Sequence, residues 1–538
     1  MVDILNIGAG ATQLYRSALS TVSNNIANMN TDGYTRQVSA SAENTPIQMG
    51  GVFFGDGARL ASITRAFSEF NESNLRNSSS DLANQDPMIK YTDRVVDIMG
   101  SKTAGLNSAL DTFFNSARDL SSDPGSTTLR NGYLRDADGL AVRFRELAGQ
   151  LTSVEEETQT SINSQLTSLT SLGKQLLAVN QLLEKNHSGN QQAPALLDQR
   201  DNILRDMAEI TKIHVKQNTS GSVEVRLDSQ TGTPVVVEAL RSTEFSATFD
   251  ATKPGQAEIL ANVYGTANPT ASVIGGSLGG LINFRTQILA PTLASLNGLA
   301  EVVATEVNAL QTTAVDAGGI RGTNLFNADV ATTGAAGFTL LQTDASKVAA
   351  AGLLKILPNA GNTGSAKLDY SQIASGTATP NFTLSFTTAA GYSIGGAAVA
   401  VDADGGFIHE GINYAVTGTP ANGDTFTVGL NTNAAGDNRN IRLVAQLQTK
   451  EVTADGRTVS DSYVDMVNVV GAASTLAKIS KDALQVVYDQ AVMEKDKISG
   501  VSLDQEAADL IRFQQAFQAA AQIIQTSNKM FDSIIGIR

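Results

Sequence analysis

The sequence predicts a mainly α-helical protein with a β-rich inserted domain. Three observations support this: heptad-spaced apolar residues near both chain ends, a very long helical pattern between them, and period-two alternation confined to internal segments. We expect paired N- and C-terminal coiled-coil helices, a long-helix bundle domain and a β-rich outer domain. Since 538 residues exceed one core, we place the domains at 1–50 with 499–538, 51–329 with 437–498, and 330–436.

The last helix is predicted from Leu503 to Ile535, with Ser502 and Gln505 forming a capping box at its start. Its seam advances in steps of four and three, a period of about 3.5 that is typical of a coiled coil. A lone helix needs tertiary packing to persist in water, so this one needs a partner. The seam residues that we assign to subunit packing are Leu503, Leu510, Gln514, Phe517, Ile524, Asn528 and Phe531.

The first thirty residues contain a helix that can serve as this partner. Asp3 stands where a cap is expected, and apolar residues then cluster on one face. Pairing the chain ends, and then packing the pairs between subunits, hides both stripes. The residues of the first helix that we assign to this packing are Leu14, Ala18, Val22 and Ile26.

Two polar residues lie on the predicted C-terminal seam, and their role has two interpretations. Gln514 and Asn528 either set the register and stoichiometry of the assembly, as a polar residue at an a or d position does, or face a water-lined gap.

Long helical patterns fill much of the middle of the chain. One runs from Leu140 to Leu183, with two successive steps of four around Thr158 that resemble a stutter in the heptad. Others cover Ala195 to Ile210 and Leu278 to Leu310, and a further helix runs from Asp461 to about Lys497. These patterns predict the bundle domain.

Strand patterns occupy three internal segments. Residues 46–65 alternate and carry glycines, and residues 213–263 switch to period two. Between 330 and 436 short alternating runs predict strands, and Asn422-Gly423 predicts a hairpin turn.

Composition excludes several classes of function. The net charge of −15, with scattered Lys and Arg, argues against binding to a nucleic-acid backbone. The absence of cysteine excludes disulfides, zinc–cysteinate sites and thiol nucleophiles. No continuous apolar run approaches the roughly 20 residues of a membrane span, so we expect no membrane partner. The N-terminus lacks the basic and apolar regions of a cleavable signal peptide.

No group of residues predicts catalysis, a cofactor or a metal. His187, His214 and His409 are far apart in unlike contexts, without ligand spacing. Gly8-Ala-Gly10 lacks the preceding strand and third glycine of a dinucleotide loop. Asp402-Ala-Asp404-Gly405 has its glycine too early for a calcium loop, so we predict a turn. We therefore expect a structural assembly protein and not an enzyme.

Motifs at both ends now point to a family. Asn24-Asn-Ile-Ala-Asn28, followed by Asn30-Thr-Asp-Gly-Tyr-Thr-Arg-Gln37, resembles the N-terminal motif of flagellar rod, hook and hook-associated proteins. Ser502-Leu-Asp-Gln-Glu506 followed by Leu510-Ile-Arg-Phe-Gln-Gln-Ala-Phe517 is most similar to the C-terminal motif of the FlgK family of hook-associated proteins.

Internal motifs favour the same family over hook or rod proteins. Leu196-Leu-Asp-Gln-Arg-Asp201 resembles one of them, and Gly279-Gly-Leu-Ile-Asn-Phe-Arg285 another. Glu306-Val-Asn308 and, after a Gly-Gly pair, Leu325-Phe326 complete the resemblance.

The resemblance implies a structural protein at the junction between the flagellar hook and filament. Its expected partners are further copies of itself, the hook protein, a second junction protein of the FlgL type and an export chaperone of the FlgN type on the C-terminal helix. Export through the flagellar type III channel, without signal cleavage, would place the protein in the extracellular flagellum.

Two alternatives are distinguishable from this junction role. The nearer one is another axial subunit, from the hook, rod or filament. The other is a secreted binding protein or enzyme built on the β-rich insert, which deletion of about 330–436 would test.

Overall fold

The computed structural model describes residues 2–49, 51–100, 105–185, 192–227, 235–238, 241–250, 253, 255–263, 266–270, 273–327, 329–371 and 381–536. Helices predominate and strands cluster in internal segments, as the sequence predicts. The α-helices are α1 Val2–Ala27, α2 Glu69–Ala83, α3 Gln85–Met99, α4 Leu106–Ser122, α5 Thr127–Lys185, α6 Pro194–Ile210, α7 Gly276–Phe284, α8 Ala290–Thr312, α9 Val330–Thr333, α10 Arg439–Gln446, α11 Val459–Ser499 and α12 Leu503–Ile535.

Twenty-one strands are defined within the described residues, and all their pairings there are antiparallel. They are β1 Gln37–Glu43, β2 Ile47–Met49, β3 Val52–Phe54, β4 Ala58–Arg65, β5 His214–Gln217, β6 Val223–Arg226, β7 Val235–Glu238, β8 Arg241–Ser242, β9 Glu244–Thr248, β10 Glu258–Val263, β11 Thr266–Pro269, β12 Ala314–Val315, β13 Ala351–Gly352, β14 Leu354–Pro358, β15 Lys367–Tyr370, β16 Phe382–Thr387, β17 Gly391–Ile394, β18 Ala397–Ala398, β19 Gly406–His409, β20 Ile412–Thr417 and β21 Thr425–Leu430.

The chain divides into two compact units, each made of separate stretches of sequence. The first contains Met1–Tyr91, Glu156–Thr286 and Ser474–Arg538, and the second contains Thr92–Glu155 and Gln287–Ala473. The division into three domains that the sequence suggests stays a prediction.

In the first unit, helices α2, α6 and α7 pack against one another, and the same unit contains four small sheets. The sheets pair β1 with β4, β2 with β3, β5 through β8 in order, and β9 through β11 in order. Gly280 permits the close approach of α7, because a Cβ there would clash with the carbonyl oxygen of Asn84. This packing gives a physical reason for a glycine in the 279–285 motif.

The stutter predicted in the long helix coincides with a buried polar contact in the first unit. Thr158 is fully buried in α5, and its hydroxyl accepts a hydrogen bond from Arg285 Nη1 at 2.8 Å. The Arg285 guanidinium also lies 5.2 Å from the ring centroid of Phe249, a cation–π distance. The apolar repeat is therefore interrupted where the helix meets an arginine.

The helical core of the second unit is aromatic. Phe113 on α4 lies 5.3 Å from Tyr133 and 6.0 Å from Phe326, measured between ring centroids. Asn308 fixes the Leu325-Phe326 motif, since its Oδ1 accepts from Leu325 N at 2.9 Å and Phe326 N at 3.0 Å, and its Nδ2 donates to Phe326 O. Two motifs of the resemblance thus meet in one hydrogen-bonded contact.

The β-rich segment of the second unit contains two sheets that share one apolar core. The five-stranded sheet has the order β14-β21-β16-β17-β18, and the three-stranded sheet has the order β15-β20-β19. The predicted turn at Asp402 is confirmed, since its Oδ1 accepts hydrogen bonds from Asp404 N and Gly406 N. Asn422-Gly423 does form a turn, with Gly423 at φ +92°, but it connects β20 to β21, which lie in different sheets. The hairpin prediction is therefore wrong.

Several predicted helix ends differ from the observed ones. The first helix begins at Val2, so Asp3 lies inside it and not at its cap. Ser502 does occupy the N-cap position of α12, but its side chain makes no capping hydrogen bond. The long helix α5 begins at Thr127, thirteen residues before the predicted start, because buried Tyr133 and Ala137 continue its apolar face.

One helical stretch of the described residues, Gly276–Thr312, has the length and mean hydropathy (1.3) of a membrane-spanning helix. The sequence contains no continuous apolar run here, because Arg285 and Glu301 interrupt it. Half of its most apolar window is buried inside the protein, and a core helix meets the same criterion. A five-residue π-helical stretch, Arg285–Leu289, divides the predicted single helix between α7 and α8.

Candidate functional site

The two ends of the chain form an antiparallel helix pair in the first unit. From one end of the contact to the other, Gly8 of α1 approaches Ile524, the Tyr15 ring centroid lies 6.4 Å from that of Phe513, and Asn25 contacts Glu506. The residue numbers of these contacts increase along α1 while they decrease along α12, so the two helices are antiparallel. The predicted pairing of the chain ends is confirmed.

Gly8 is buried in the contact between the two helices. A Cβ at this position would lie 2.9 Å from Ile524 Cγ1, closer than side chains normally pack. The glycine therefore allows the tight approach of the two helices.

A buried polar cluster joins the start of α12 to the N-terminal motif. Glu506 is 0% exposed, and its carboxylate accepts from Asn25 Nδ2 at 3.0 Å and from Arg36 Nε at 2.6 Å. Asn25 Oδ1 accepts from Tyr34 Oη at 2.7 Å and from Gln37 N at 2.9 Å, and its Nδ2 also donates to Gln37 O. Both ends of the Asn25 amide are thus satisfied by residues of the N-terminal and C-terminal motifs, as a buried polar group requires.

The backbone of Arg36 strengthens the same junction. Its N–H donates to Ser499 O at 2.9 Å, and its C=O accepts from Ala66 N at 2.8 Å. Arg36 Nη2 also lies 3.4 Å from Asp509 Oδ2. The residue before β1 is therefore bound to both α11 and α12.

The internal motif 196–201 adjoins this cluster. Asp198 on α6 accepts from Thr35 N at 3.3 Å and from Arg65 Nη1 at 2.7 Å. Arg65 also pairs with Asp201 Oδ2 at 2.8 Å, and Arg200 pairs with Asp201 Oδ1 at 2.6 Å. Three motifs that are hundreds of residues apart in sequence are thus brought together by buried ion pairs and hydrogen bonds.

Tyr34 is half-buried in an acidic environment. Burial raises the pKa of its phenol to about 12, and the nearby carboxylates of Asp198 and Glu506 add to the increase. A phenolate would be disfavoured here, so Tyr34 stays a hydrogen-bond donor to Asn25.

The predicted packing residues differ in how far the single chain buries them. In the N-terminal helix, three are buried and Ile26 is half-buried. The buried ones are Leu14, Ala18 and Val22. In the C-terminal helix, none of the seven is fully buried. Half-buried there are Leu510, Phe517 and Ile524, and exposed are Leu503, Gln514, Asn528 and Phe531.

The side of α12 that faces α1 is adjacent to the predicted seam and overlaps it in part. Its most buried residues are Glu506, Ala520 and Ser527, which share one heptad line with Phe513. The predicted line through Gln514 and Asn528 is one residue further on and remains exposed in the single chain. Subunit packing by these residues stays a prediction.

Sequence reasoning did not single out Asn25, Arg36, Glu506 and Asp198 as site residues. The available signal was their position inside the motifs that carry the family resemblance. An apolar periodicity search passes over them, because their buried contacts are polar.

Within the parts of the chain that the structure describes, no group of three His, Cys, Asp or Glu residues is placed to hold a metal ion. His187 lies outside the described residues. His409 packs edge-on against Phe382, with ring centroids 4.5 Å apart, and His214 is exposed on β5.

Comparisons with known proteins find similarity to flagellar proteins. Residues 92–326 match the family model of the flagellar hook-associated protein FlgK helical domain. Residues 5–35 match that of the flagella basal body rod protein, and residues 496–537 match the C-terminal model of the flagellar basal body rod FlgEFG proteins. The two rod models thus cover the two helices that pair.

Full-length relatives agree with these models. Flagellar hook-associated protein 1 of Escherichia coli K12 is 25% identical over 576 residues, covering 100% of each chain. The protein of the same name from Bacillus subtilis 168 is 25% identical over 544 residues, covering 98% of this chain and 96% of the relative. Among solved structures, the flagellar hook junction protein FlgK from Burkholderia pseudomallei superimposes with a TM-score of 0.69 at 20% identity, covering 79% of this chain and 100% of that one.

Proposed function

We propose that this chain, which belongs to the FlgK family of flagellar hook-associated proteins, is a structural subunit that joins the hook to the filament. The observation that carries the proposal is the cluster of Asn25, Arg36 and Glu506, in which motifs from the two chain ends form one buried junction. The chain acts by assembly and not by catalysis.

The terminal-helix pair provides the assembly surface. The α1 face of α12 is already occupied within the chain, whereas Leu503, Gln514, Asn528 and Phe531 remain exposed beside it. A helix with one covered line and one open line can pack against a second helix pair while keeping its own partner. We therefore assign the open line to contacts between copies in the flagellar axis.

The polar residues of the open line set the register of these contacts. Replacing Asn528 by Leu keeps the helix content of the monomer, because the residue is exposed, but loosens the register of assembly. Electron microscopy of junctions from cells making Asn528→Leu measures the order of the ring. Junctions indistinguishable from wild type would leave Asn528 without this role.

The open line also suggests what must happen before assembly. Phe531 and Ile535 are more than half exposed, and an uncovered apolar line favours aggregation. We assign its protection to an export chaperone of the FlgN type, with secretion through the flagellar type III channel and no cleaved signal. After export, the neighbours are further copies, the hook protein and a second junction protein of the FlgL type.

Cells that lack this protein test the junction role directly. They should build complete hooks and shed filament subunits into the medium, which electron microscopy and immunoblotting measure. Loss of the hook itself would instead indicate a hook or rod subunit. Motile cells with attached filaments would contradict the proposal.

A further inference from the structure

The β-rich insert, here the strands β14 to β21, is connected to the helical core of the second unit (α4, the start of α5, α8 and α10) by two chain segments. Residues 348–354 lead into the insert and residues 431–439 lead out of it, and we call them the entry segment and the exit segment. Two parts of a chain that are connected in this way move relative to each other by default, unless the contact between them is large and apolar. What holds these two segments therefore decides whether the insert pivots.

The entry segment is bound through its backbone by side chains of the helical core. All of its residues are buried, so its backbone polar groups need partners within the protein. Val348 O accepts from Arg130 Nη1 of α5 at 2.7 Å. Ala349 N donates to Gln311 Oε1 of α8 at 3.0 Å, and Ala349 O accepts from Asn440 Nδ2 of α10 at 2.6 Å. Three helices of the core thus hold the beginning of the segment.

A second group of contacts joins the entry segment to the exit segment. Asp437 Oδ2 accepts from Gly352 N at 3.3 Å and from Asn431 Nδ2 at 2.8 Å, and the same Asn431 Nδ2 donates to Gly352 O at 3.1 Å. Asn431 N donates to Leu353 O at 3.0 Å. The two segments therefore lie side by side where the insert begins.

Arg439, the first residue of α10, connects this region to both sheets of the insert. Its Nη2 donates to Leu354 O on β14 at 2.6 Å, and its Cζ lies 5.5 Å from the ring centroid of Tyr370 on β15. Tyr370 Oη accepts from Leu354 N at 3.0 Å. Both backbone polar groups of Leu354 are thus bound by these two side chains, and β14 and β15 belong to different sheets.

The contact between Arg439 and Asp437 fixes direction as well as distance. Arg439 Nε lies 3.1 Å from Asp437 Oδ1 and Nη2 lies 2.7 Å from Oδ2, the two-point pairing by which a guanidinium orients a carboxylate. Although burial opposes ionisation, the hydrogen bonds and the charge of Arg439 lower the pKa of Asp437. The carboxylate therefore stays ionised at neutral pH, and the pair is maintained.

We infer that Arg439 and Asp437 are positioning residues that hold the insert at one fixed angle on the helical core of the second unit, so that the two move as one body. Removing the Arg439 side chain frees the Leu354 carbonyl and one face of Tyr370, while the apolar core that the two sheets share remains. The insert then stays folded but pivots about its two segments. This arrangement belongs to the single chain and does not depend on the proposed function.

Distances between introduced spin labels measure the motion directly, because the chain has no cysteine of its own. One label is placed at Ile408→Cys on β19 of the insert and the other at Asp119→Cys on α4 of the core, both at exposed positions. Double electron–electron resonance on the purified full chain then gives the distribution of distances between insert and core. A second pair, Ile408→Cys with Leu357→Cys on β14, lies inside the insert and reports whether the insert stays folded.

In the wild type we expect the distribution between insert and core to be as narrow as that within the insert. Arg439→Ala should widen the first about twofold or more and leave the second unchanged, since parts of a chain that are not held move by default. The matched control is Arg442→Ala, the same change at an exposed arginine of the same helix, which should widen neither. A broad wild-type distribution, or equal widths for Arg439→Ala and Arg442→Ala, would overturn the inference.

If Arg439→Ala also widens the distribution within the insert, the insert has lost its fold, and Arg439→Lys then replaces it. A lysine keeps the charge but cannot form the two-point contact with a carboxylate. Widening between insert and core alone is the result expected for this variant, and a width equal to that of Arg442→Ala would again overturn the inference.

Discussion

The β-rich insert and the terminal-helix pair bury their apolar side chains in different ways. In the insert, Leu384, Phe426 and Val428 of one sheet are fully buried against Phe407 and Tyr414 of the other. In α12 the most buried residue is the carboxylate Glu506, while Ile511, Phe531 and Ile535 are each more than half exposed. The insert completes its core alone, whereas the terminal pair uses polar contacts to fix its register and leaves apolar surface for other molecules.

Removing one phenylalanine from each region gives the largest expected contrast. Phe426→Ala should cost about 3–5 kcal/mol in the local stability of the insert, because it leaves a cavity in a closed core. Phe531→Ala should change the stability of the isolated chain by less than about 0.5 kcal/mol, since more than half of this residue is already exposed to water.

Hydrogen exchange of the amides in β16 and β21, and of those in α12, measures the two effects separately. Similar losses of amide protection in both regions would show that Phe531 is buried in the isolated chain. That result would contradict the difference between the two regions.

The buried polar cluster around Glu506 should stabilise the terminal-helix pair nearly as much as Phe426 stabilises the insert. Glu506→Ala removes the partner of Arg36 and Asn25, and losing one member of a buried ion pair costs about 3–5 kcal/mol. Because the Arg36 side chain is 22% exposed, we expect a cost at the lower end of that range. The packing of α12 on α1 should weaken. Limited proteolysis measures this as increased cleavage near the start of α12.

Asp504→Ala is the control for this variant, since it removes a carboxylate from the same turn that is exposed. Equal cleavage of the two variants would mean that the cluster does not hold the chain ends together.

The smallest effect concerns pH. The pKa of Tyr34 is raised to about 12 in the folded chain, above the ordinary value of 10.0, so the folded state keeps this proton longer than the unfolded state does. Its contribution to stability is therefore complete below pH 10 and is lost as the pH rises toward 12. Between these values the wild type should lose more stability than Tyr34→Phe does, in urea unfolding at a series of pH values. Parallel curves would contradict the raised pKa of the Tyr34 phenol.

The sequence predicted much of the fold because helical periodicity depends on apolar residues that are simple to recognise. Helix α12 and its pairing with α1 followed from the heptad spacing of Leu510, Phe517 and Ile524. The heptad spacing did not predict which of two neighbouring lines of α12 faces α1. Glu506 and Ser527 lie on the line that does, but they are polar, and an apolar pattern assigns polar residues to the solvent side. Glu506 is buried because Asn25 and Arg36, far away in the sequence, satisfy its carboxylate.

The same limit applies to the hairpin at Asn422-Gly423. Turn chemistry is local, so the turn itself was predictable, with Gly423 supplying a positive φ. Strand pairing is not local: β21 pairs with β14 and β16, and β20 pairs with β15 and β19. Only the shared core of the two sheets decides that choice.

Hydrogen exchange along Leu510 to Phe531, measured in the purified chain and in isolated junctions, tests the central claim most directly. If α12 leaves its exposed apolar residues to neighbouring copies, its amides should exchange faster in the purified chain than those of β21 and become strongly protected after assembly. Protection of α12 in the purified chain as strong as that of β21, unchanged by assembly, would contradict the account.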